Sequence, residues 1–185
     1  MQNTIKTVFV SATIILSSSF IITPAMANSG CAFEAEEQGF MATCSQEKQE
    51  VIITGLVTPA AIEKSFPEQY NKEFTDYSSD SNVIEQLKKI DTPTEIVVII
   101  GTWCPDCHRE TPRFIKIMEQ VNNPNINVKF IGVDRKKADA EGLAAQYEFT
   151  RIPTFIVQQD NKTIGTIIER PTVTLEQDLY NILNK

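Results

Sequence analysis

GTWCPDCHRE, residues 101–110, contains two cysteines with two residues between them, Cys104 and Cys107, and His108 follows directly. A C-x-x-C pair is the dithiol unit that forms and breaks disulfides, whereas C-x-x-C-H is also the pattern that attaches haem c. The segments on either side of the motif distinguish these two chemistries, because they show in which kind of structure the cysteines lie.

The motif lies between a predicted buried strand and a predicted helix. The run EIVVII, residues 95–100, is almost wholly β-branched and has no polar alternation, which is typical of a strand buried on both faces. After the motif, apolar residues recur with the i, i+3, i+4, i+7 spacing of one helix face: Phe114, Ile117, Met118 and Val121. The cysteines therefore lie where a helix begins, and its N–H groups and macrodipole favour a thiolate.

The spacing within the motif suits a reversible disulfide. Positions i and i+3 share a helix face, so Cys104 and Cys107 are close enough to be bridged within the first turn. Pro105 fits that turn, where no N–H partner is lost. We expect Cys104 to be the exposed, attacking sulfur and Cys107 to be the more buried, resolving sulfur.

The same patterns predict the elements that follow residue 80. They are a helix over residues 81–90, strands over 95–100 and 127–134, a helix through 140–147, two strands within 154–169, and a final helix that begins at Thr174 and Gln177, which form a capping-box pattern. The helix that follows the cysteine motif lies between the first two of these strands. Together these elements have the order α-β-α-β-α-β-β-α. That order predicts an α/β domain over residues 81–185, with a central sheet, helices on both faces and a closing hairpin.

Residues 1–27 have the pattern of a cleaved secretory signal peptide, with Lys6 ahead of an apolar run and a small-x-small end at residues 25–27. The apolar run contains three serines and is shorter than the ~20 apolar residues of a spanning helix. An uncleaved anchor and a lipid anchor on Cys31 are the alternatives. We expect a periplasmic or secreted protein without a membrane anchor, in a compartment that permits disulfides.

The charge of the chain argues against two classes of partner. The sequence has 17 basic and 24 acidic residues, a net charge of -7, and no block of basic residues. Nucleic acids and anionic membrane surfaces are therefore not expected to bind it.

Residues 28–80 are interpreted as an N-terminal extension. Two strands are expected in it, FMATC (40–44) and EVIITGLV (50–57), followed by a helix over residues 58–74 that is interrupted at Pro67. Four aromatic residues predict that this helix docks through an aromatic stripe, in preference to a substrate groove: Phe66, Tyr70, Phe74 and Tyr77. Cys31 and Cys44 are predicted to form a structural disulfide, the alternative being a second redox pair that passes electrons to Cys104.

On three segments the chain resembles the thioredoxin superfamily. They are TWCPDC (residues 102–107), Pro112 in the following helix, and RIPTF (residues 151–155). The resemblance covers roughly residues 81–184. It implies a thioredoxin-like fold, a central mixed β-sheet with helices on both faces, to which the N-terminal extension is added. It also implies a cis peptide bond before Pro153, and a substrate-contact surface formed by Trp103, Ile152 and Pro153.

The function implied by the resemblance is that of an exported thiol–disulfide oxidoreductase. Cys104 and Cys107 would be its catalytic residues, protein thiols and disulfides its substrates, and no dissociable cofactor or metal would be needed. A redox partner, soluble or membrane-bound, would recycle the pair. One position departs from the family: thioredoxins carry a buried acidic residue where this chain has Val98. The base for Cys107 is therefore open between Glu110, His108 and water.

A non-enzymatic haem- or metal-binding module using Cys104, Cys107 and His108 is the alternative. His108 is the only histidine, so the second axial ligand of a haem would have to be Met41 or Met118, or be missing. A metal site would need a further ligand, and none lies at a usable spacing. Under the thiol interpretation, His108 is expected to be a solvated residue near the cysteines.

Pro105 and Asp106 are the predicted redox-tuning residues, because they border the Cys104 sulfur. A carboxylate beside a thiolate opposes its charge and weakens the stabilisation that a helix N-terminus provides. A less favoured thiolate makes the disulfide less oxidising. We therefore expect a reducing or intermediate potential, with His108 and Arg109 adding compensating positive charge.

Overall fold

The computed structural model describes residues 51–185, so the predicted signal peptide, the strand at 40–44 and the Cys31–Cys44 disulfide lie outside the described residues. Within residues 51–185, five strands form one mixed sheet in the order β1-β3-β2-β4-β5. The strands are β1 Gly55–Val57, β2 Thr94–Ile100, β3 Ile126–Gly132, β4 Thr154–Gln159 and β5 Lys162–Ile168. Strand β3 is parallel to β2, while β1 is antiparallel to β3, and β4 is antiparallel to both β2 and β5.

Five α-helices accompany the sheet in this part of the chain. They are α1 Pro59–Ser65, α2 Pro67–Asp76, α3 Ser81–Leu87, α4 Pro105–Val121 and α5 Leu175–Leu183. The side chains of Thr58, Asp80 and Thr174 each accept an N–H of the helix that follows, which satisfies a donor that the first turn leaves open. The helix boundary predicted at Pro67 is confirmed. No helix of residues 51–185 has the length and apolar character needed to cross a bilayer.

Both faces of β2 are buried, as its unbroken apolar sequence predicts. Val97 and Val98 point to opposite faces of the sheet, and both are completely buried. On the side of Val98, the ring of Phe114 in α4 packs against Phe155, with ring centroids 4.8 Å apart. Phe155 is the neighbour of Val98 in β4. Helix α4, which begins at the cysteine motif, is thus held against the centre of the sheet.

The sequence also predicts a helix through residues 140–147, after β3. That prediction is wrong, because the only helical turn there is a 3-10 helix, Ala144–Gln146. The Asp139 carboxylate accepts the N–H of Leu143 at 2.9 Å and so takes part in a turn. Gly142 has a φ of 69°, in the left-handed region, and a right-handed helix cannot continue through it. The predicted α/β class, a central mixed sheet accompanied by helices, is otherwise confirmed.

The described part of the predicted extension contributes β1, α1 and α2. The strand expected over residues 50–57 is shorter, since only Gly55–Val57 pairs with β3. The aromatic stripe docks as predicted: Phe66 and Tyr70 are buried, and Tyr77 donates a hydrogen bond of 2.6 Å to the buried carboxylate of Glu176 in α5. The domain boundary at residue 80 stays a prediction.

Candidate active site

Cys104 and Cys107 lie at the junction of β2 and α4, as the sequence predicts. Cys104 is the N-cap residue of α4, and Cys107 lies in its first turn. Both are free thiols, so the structure describes the reduced pair. Cys104 is 7% exposed and Cys107 is 1% exposed. Cys104 is thus the more accessible sulfur, but the expectation that it is exposed is wrong.

The environment of Cys104 favours its thiolate. A hydrogen bond from the Cys107 thiol is the largest cause, and it lowers the pKa of Cys104 to about 6 against the opposing effect of burial. The backbone N–H groups of Cys107 and Asp106, which are free at the start of a helix, lower the pKa further. The charge of the Asp106 carboxylate acts in the opposite direction, as predicted, but it is outweighed.

Cys107 is held in the opposite protonation state. Burial raises the pKa of its thiol, and the hydrogen bond and charge of Cys104 raise it further. The N–H of Gly101 donates to Cys107 Sγ at 3.3 Å, and this hydrogen bond lowers the pKa of Cys107 but is outweighed. At neutral pH the pair therefore consists of one thiolate and one thiol.

The loop before β4 brings Ile152 and Pro153 against the motif. The Ile152–Pro153 peptide bond is cis, which confirms what the resemblance implies. Cys104 Sγ lies 3.5 Å from the Ile152 carbonyl oxygen, which can accept a hydrogen bond from it when Cys104 is protonated. Trp103, partly exposed beside Cys104, donates its indole N–H to the Val133 carbonyl at 3.1 Å. The three predicted substrate-contact residues thus surround Cys104.

Gly101 makes this close packing possible, which the sequence analysis did not recognise. A β-carbon at this position would lie 2.8 Å from both the Trp103 ring and the Ile152 side chain. Such contacts are too short for any other residue without displacement of the groups beside Cys104. The signal in the sequence is a glycine placed between a buried strand and the motif.

Asp106 is engaged by two arginines. Its carboxylate accepts hydrogen bonds from Arg109 at 2.7 Å and from Arg170 at 3.2 Å. Burial acts to raise the pKa of Asp106, but the hydrogen bonds and charges of the two arginines outweigh it and lower the pKa. Arg109 thus offsets the negative charge of the Asp106 carboxylate, which is the compensating effect that the sequence analysis expects of it. Arg170 was not anticipated, because it follows β5 and lies far from the motif in the sequence.

His108 is not the solvated residue that the sequence analysis expects. Its Nε2 donates to the Thr102 carbonyl at 2.6 Å, and its ring stacks on Phe66 with centroids 4.2 Å apart. The Thr102 hydroxyl in turn donates to the Val51 carbonyl at 2.6 Å and accepts the Ile53 N–H at 3.2 Å. Residues 51–66 thus pack against the segment that carries the cysteines.

The candidate bases for Cys107 are occupied elsewhere. Glu110 is 3% exposed, and its carboxylate lies 2.6 Å from Arg109 Nε and 3.8 Å from Arg113. Within the described part of the chain, neither Glu110 nor His108 hydrogen-bonds Cys107. Val98 is completely buried and offers no proton acceptor. In residues 51–185, no group of three or more His, Cys, Asp or Glu side chains is arranged to hold a metal ion.

The chain is similar to several known proteins. Mitochondrial thioredoxin-3 of Saccharomyces cerevisiae is 24% identical over 110 residues, which cover 60% of this chain and 78% of that protein. Thioredoxin of Mycoplasmopsis pulmonis is 30% identical over 81 residues, or 42% of this chain and 72% of that protein. The crystal structure of oxidised yeast mitochondrial thioredoxin 3 matches with a TM-score of 0.37 and 23% identity, over 59% of this chain and 98% of that chain.

The family model described as thioredoxin matches residues 60–179, a span that contains the cysteine motif, Pro112 and the cis Pro153. The match extends over more than half of the sequence. This chain belongs to the thioredoxin family.

Proposed function

We propose that this protein is an exported thiol–disulfide oxidoreductase that exchanges disulfides with protein substrates through Cys104 and Cys107. The observation that carries the proposal is the state of Cys104. Its pKa is lowered to about 6 at the start of a helix, beside a second thiol whose pKa is raised. A thiolate next to a protonated partner is the reactive form of a C-x-x-C pair, because the thiolate is the nucleophile.

In the reducing direction, the Cys104 thiolate attacks one sulfur of a substrate disulfide. The substrate S–S bond breaks, its other sulfur leaves as a thiolate, and a mixed disulfide forms on Cys104. Cys107 loses its proton to solvent and attacks Cys104 Sγ, which releases the second substrate thiolate. The substrate gains two electrons, and the Cys104–Cys107 pair becomes the disulfide. The same steps in reverse oxidise a substrate dithiol.

Trp103, Ile152 and Pro153 are proposed to hold the substrate chain. Pro153 has no N–H, and the Ile152 carbonyl lies at the Cys104 sulfur. An extended substrate segment can therefore pair along this loop, while the half-buried indole provides an apolar contact with one polar end. No dissociable cofactor takes part in this chemistry, and a redox partner protein has to recycle the pair.

The proposed site of action is the periplasm or the extracellular space, after removal of residues 1–27. Cys31 and Cys44 are proposed to form a structural disulfide in the extension, worth about 3 kcal/mol in the chain-entropy model. Mass spectrometry after mild reduction should find this pair still linked when Cys104 and Cys107 are open. Opening of both pairs at one potential would favour an electron relay.

The central test is reduction of insulin disulfides by the purified protein. We expect Cys104→Ser to abolish activity, because serine cannot form the mixed disulfide. The matched control is the double variant Cys31→Ser/Cys44→Ser, which keeps the motif intact and should remain active. Equal rates for the wild type and Cys104→Ser would refute the enzymatic function.

The haem alternative does not fit the position of His108. Its ring is stacked on Phe66, and its Nε2 is bonded to the Thr102 carbonyl, so iron ligation would require both contacts to break. The protein isolated from an oxidising compartment should show no covalent Soret absorbance. A Soret band that survives denaturation would reverse this assignment.

A further inference from the structure

The segment after β5 reaches back to the cysteine motif through one side chain, that of Arg170. The backbone before it is fixed, because the Glu169 N–H donates to the Pro153 carbonyl at 2.7 Å. The Arg170 N–H donates to the Ile168 carbonyl at 2.6 Å, which turns the chain directly after the strand. The Arg170 side chain then extends to Asp106 in the first turn of α4. Arg170 thus joins the loop that carries Pro153 to the helix that carries the cysteines.

Two arginines donate to Asp106, and they are not equivalent. Arg109 lies 2.7 Å from Asp106 Oδ1 and also donates to the Glu110 carboxylate at 2.6 Å, so one cation serves two anions. The Arg170 guanidinium approaches the same Oδ1 with Nη2 at 3.2 Å and with Nε at 3.3 Å. Within residues 51–185, Arg170 forms its ion pair with Asp106 and with no second carboxylate. Arg170 is therefore the cation dedicated to Asp106.

The charge of Asp106 acts on Cys104. The hydrogen bond from Cys107 is the largest influence on the pKa of Cys104 and lowers it, whereas the Asp106 charge acts to raise it. Burial acts to raise the pKa of Asp106, but Arg109 and Arg170 lower it, so the carboxylate stays charged at neutral pH. A guanidinium on this carboxylate therefore leaves its charge in place and opposes the field of that charge at the sulfur.

We propose that Arg170 is a positioning residue for disulfide exchange, which acts on Cys104 through Asp106 by holding the carboxylate and opposing its charge. The inference rests on the proposed function and adds a redox-tuning residue outside the motif. Without Arg170 the Cys104 thiolate is less stable, so the reduced form is less favoured and the disulfide is less oxidising. The Arg170 side chain is 69% exposed, so the effect is small and weakens with salt.

The test compares Arg170→Gln with the wild type at low salt, by the pH profile of Cys104 alkylation and by a glutathione redox titration. The alkylation midpoint should rise by about half a pH unit, the size that an exposed ion pair supports. At pH 7 the equilibrium constant for reduction of the disulfide by glutathione should fall by about two- to threefold. Both shifts should shrink at high salt.

Two further comparisons show whether the effect passes through Asp106. In the Asp106→Asn background, Arg170→Gln should move the midpoint no further, because the charge that Arg170 opposes is gone. Arg151→Gln is the matched control, since Arg151 is an exposed arginine of the neighbouring loop that pairs with Glu169 and not with Asp106. Its midpoint should stay at the wild-type value. Other titratable or charged side chains beside the motif are the same in every variant: Cys107, His108, Arg109, Glu110, Arg135 and Glu169.

The outcomes separate the two proposals. Failure of the wild type to reduce insulin would refute the oxidoreductase function. An active wild type, with midpoint and potential unchanged in Arg170→Gln, would overturn the role of Arg170 and leave the oxidoreductase function intact. An equal shift in Arg151→Gln would also overturn that role, because the cause would then be net charge. So would an undiminished shift in the Asp106→Asn background, because the effect would not pass through Asp106.

Discussion

Replacement of Cys107 by alanine should raise the pKa of Cys104. The hydrogen bond from the Cys107 thiol is the largest cause of the low pKa, about 6, and alanine removes the donor. The backbone N–H groups at the start of α4 remain, so the pKa should not return fully to the value of a free cysteine, ~8.5. Cys107→Ser is the matched variant, because its hydroxyl still donates a hydrogen bond.

The size of the effect follows from the strength of a hydrogen bond to a charged group. Such a bond contributes about 1.5–3 kcal/mol, and one pKa unit corresponds to about 1.4 kcal/mol. The pKa of Cys104 in Cys107→Ala should therefore rise by about one to two units. At pH 7 the thiolate fraction would fall from roughly nine tenths to between about one half and one tenth.

The assay is the pH dependence of Cys104 alkylation by iodoacetamide, measured by mass spectrometry of the peptide that contains it. Reading that peptide alone excludes Cys31 and Cys44, which stay present in every variant. The midpoint should lie near pH 6 in the wild type, higher in Cys107→Ser and highest in Cys107→Ala. A midpoint that does not move in Cys107→Ala would show that the helix start, and not the second thiol, sets the pKa.

Three further predictions concern single side chains. Asp106→His should lower the pKa of Cys104 and shift the redox potential to more positive values, because it removes an opposing charge; an unchanged potential in a glutathione titration would contradict this. Tyr77→Phe should cost about 1.5–3 kcal/mol in urea unfolding, since it deletes a 2.6 Å hydrogen bond to the buried Glu176 carboxylate. Thr111 is completely buried, and in the described chain its hydroxyl has no hydrogen-bond partner, so Thr111→Val should keep or increase stability; a loss above about 1 kcal/mol would argue for a hidden partner.

Elements with strong local signals could be predicted from the sequence. The unbroken apolar run of β2 and the stripe of α4 require no knowledge of the rest of the chain, and both elements form where expected. Thr174 accepts the N–H of Gln177 at 3.2 Å, as its half of a capping box predicts. The Gln177 side chain binds Asn181 instead of returning to Thr174, so only half of that box forms.

Features that depend on distant residues could not be predicted in the same way. The position of His108 is set by Phe66, and the environment of Asp106 is set in part by Arg170, neither of which is a neighbour in sequence. The apolar spacing over residues 140–147 is compatible with a helix, yet the left-handed Gly142 interrupts it. Local periodicity describes which side chains are buried, whereas the backbone path depends on such interruptions.

The lack of an assigned base for Cys107 becomes less of an obstacle once the two sulfurs are considered together. Burial raises the pKa of Cys107, and so do the hydrogen bond and the charge of the Cys104 thiolate. When Cys104 enters a mixed disulfide, its charge disappears, and burial and the weaker effect of the Asp106 charge continue to oppose ionisation of Cys107. The Gly101 N–H, 3.3 Å from Cys107 Sγ, still favours the thiolate at that stage. Formation of the mixed disulfide therefore lowers the pKa of the resolving thiol at the step that needs it, and water can then accept the proton without a carboxylate at the position of Val98.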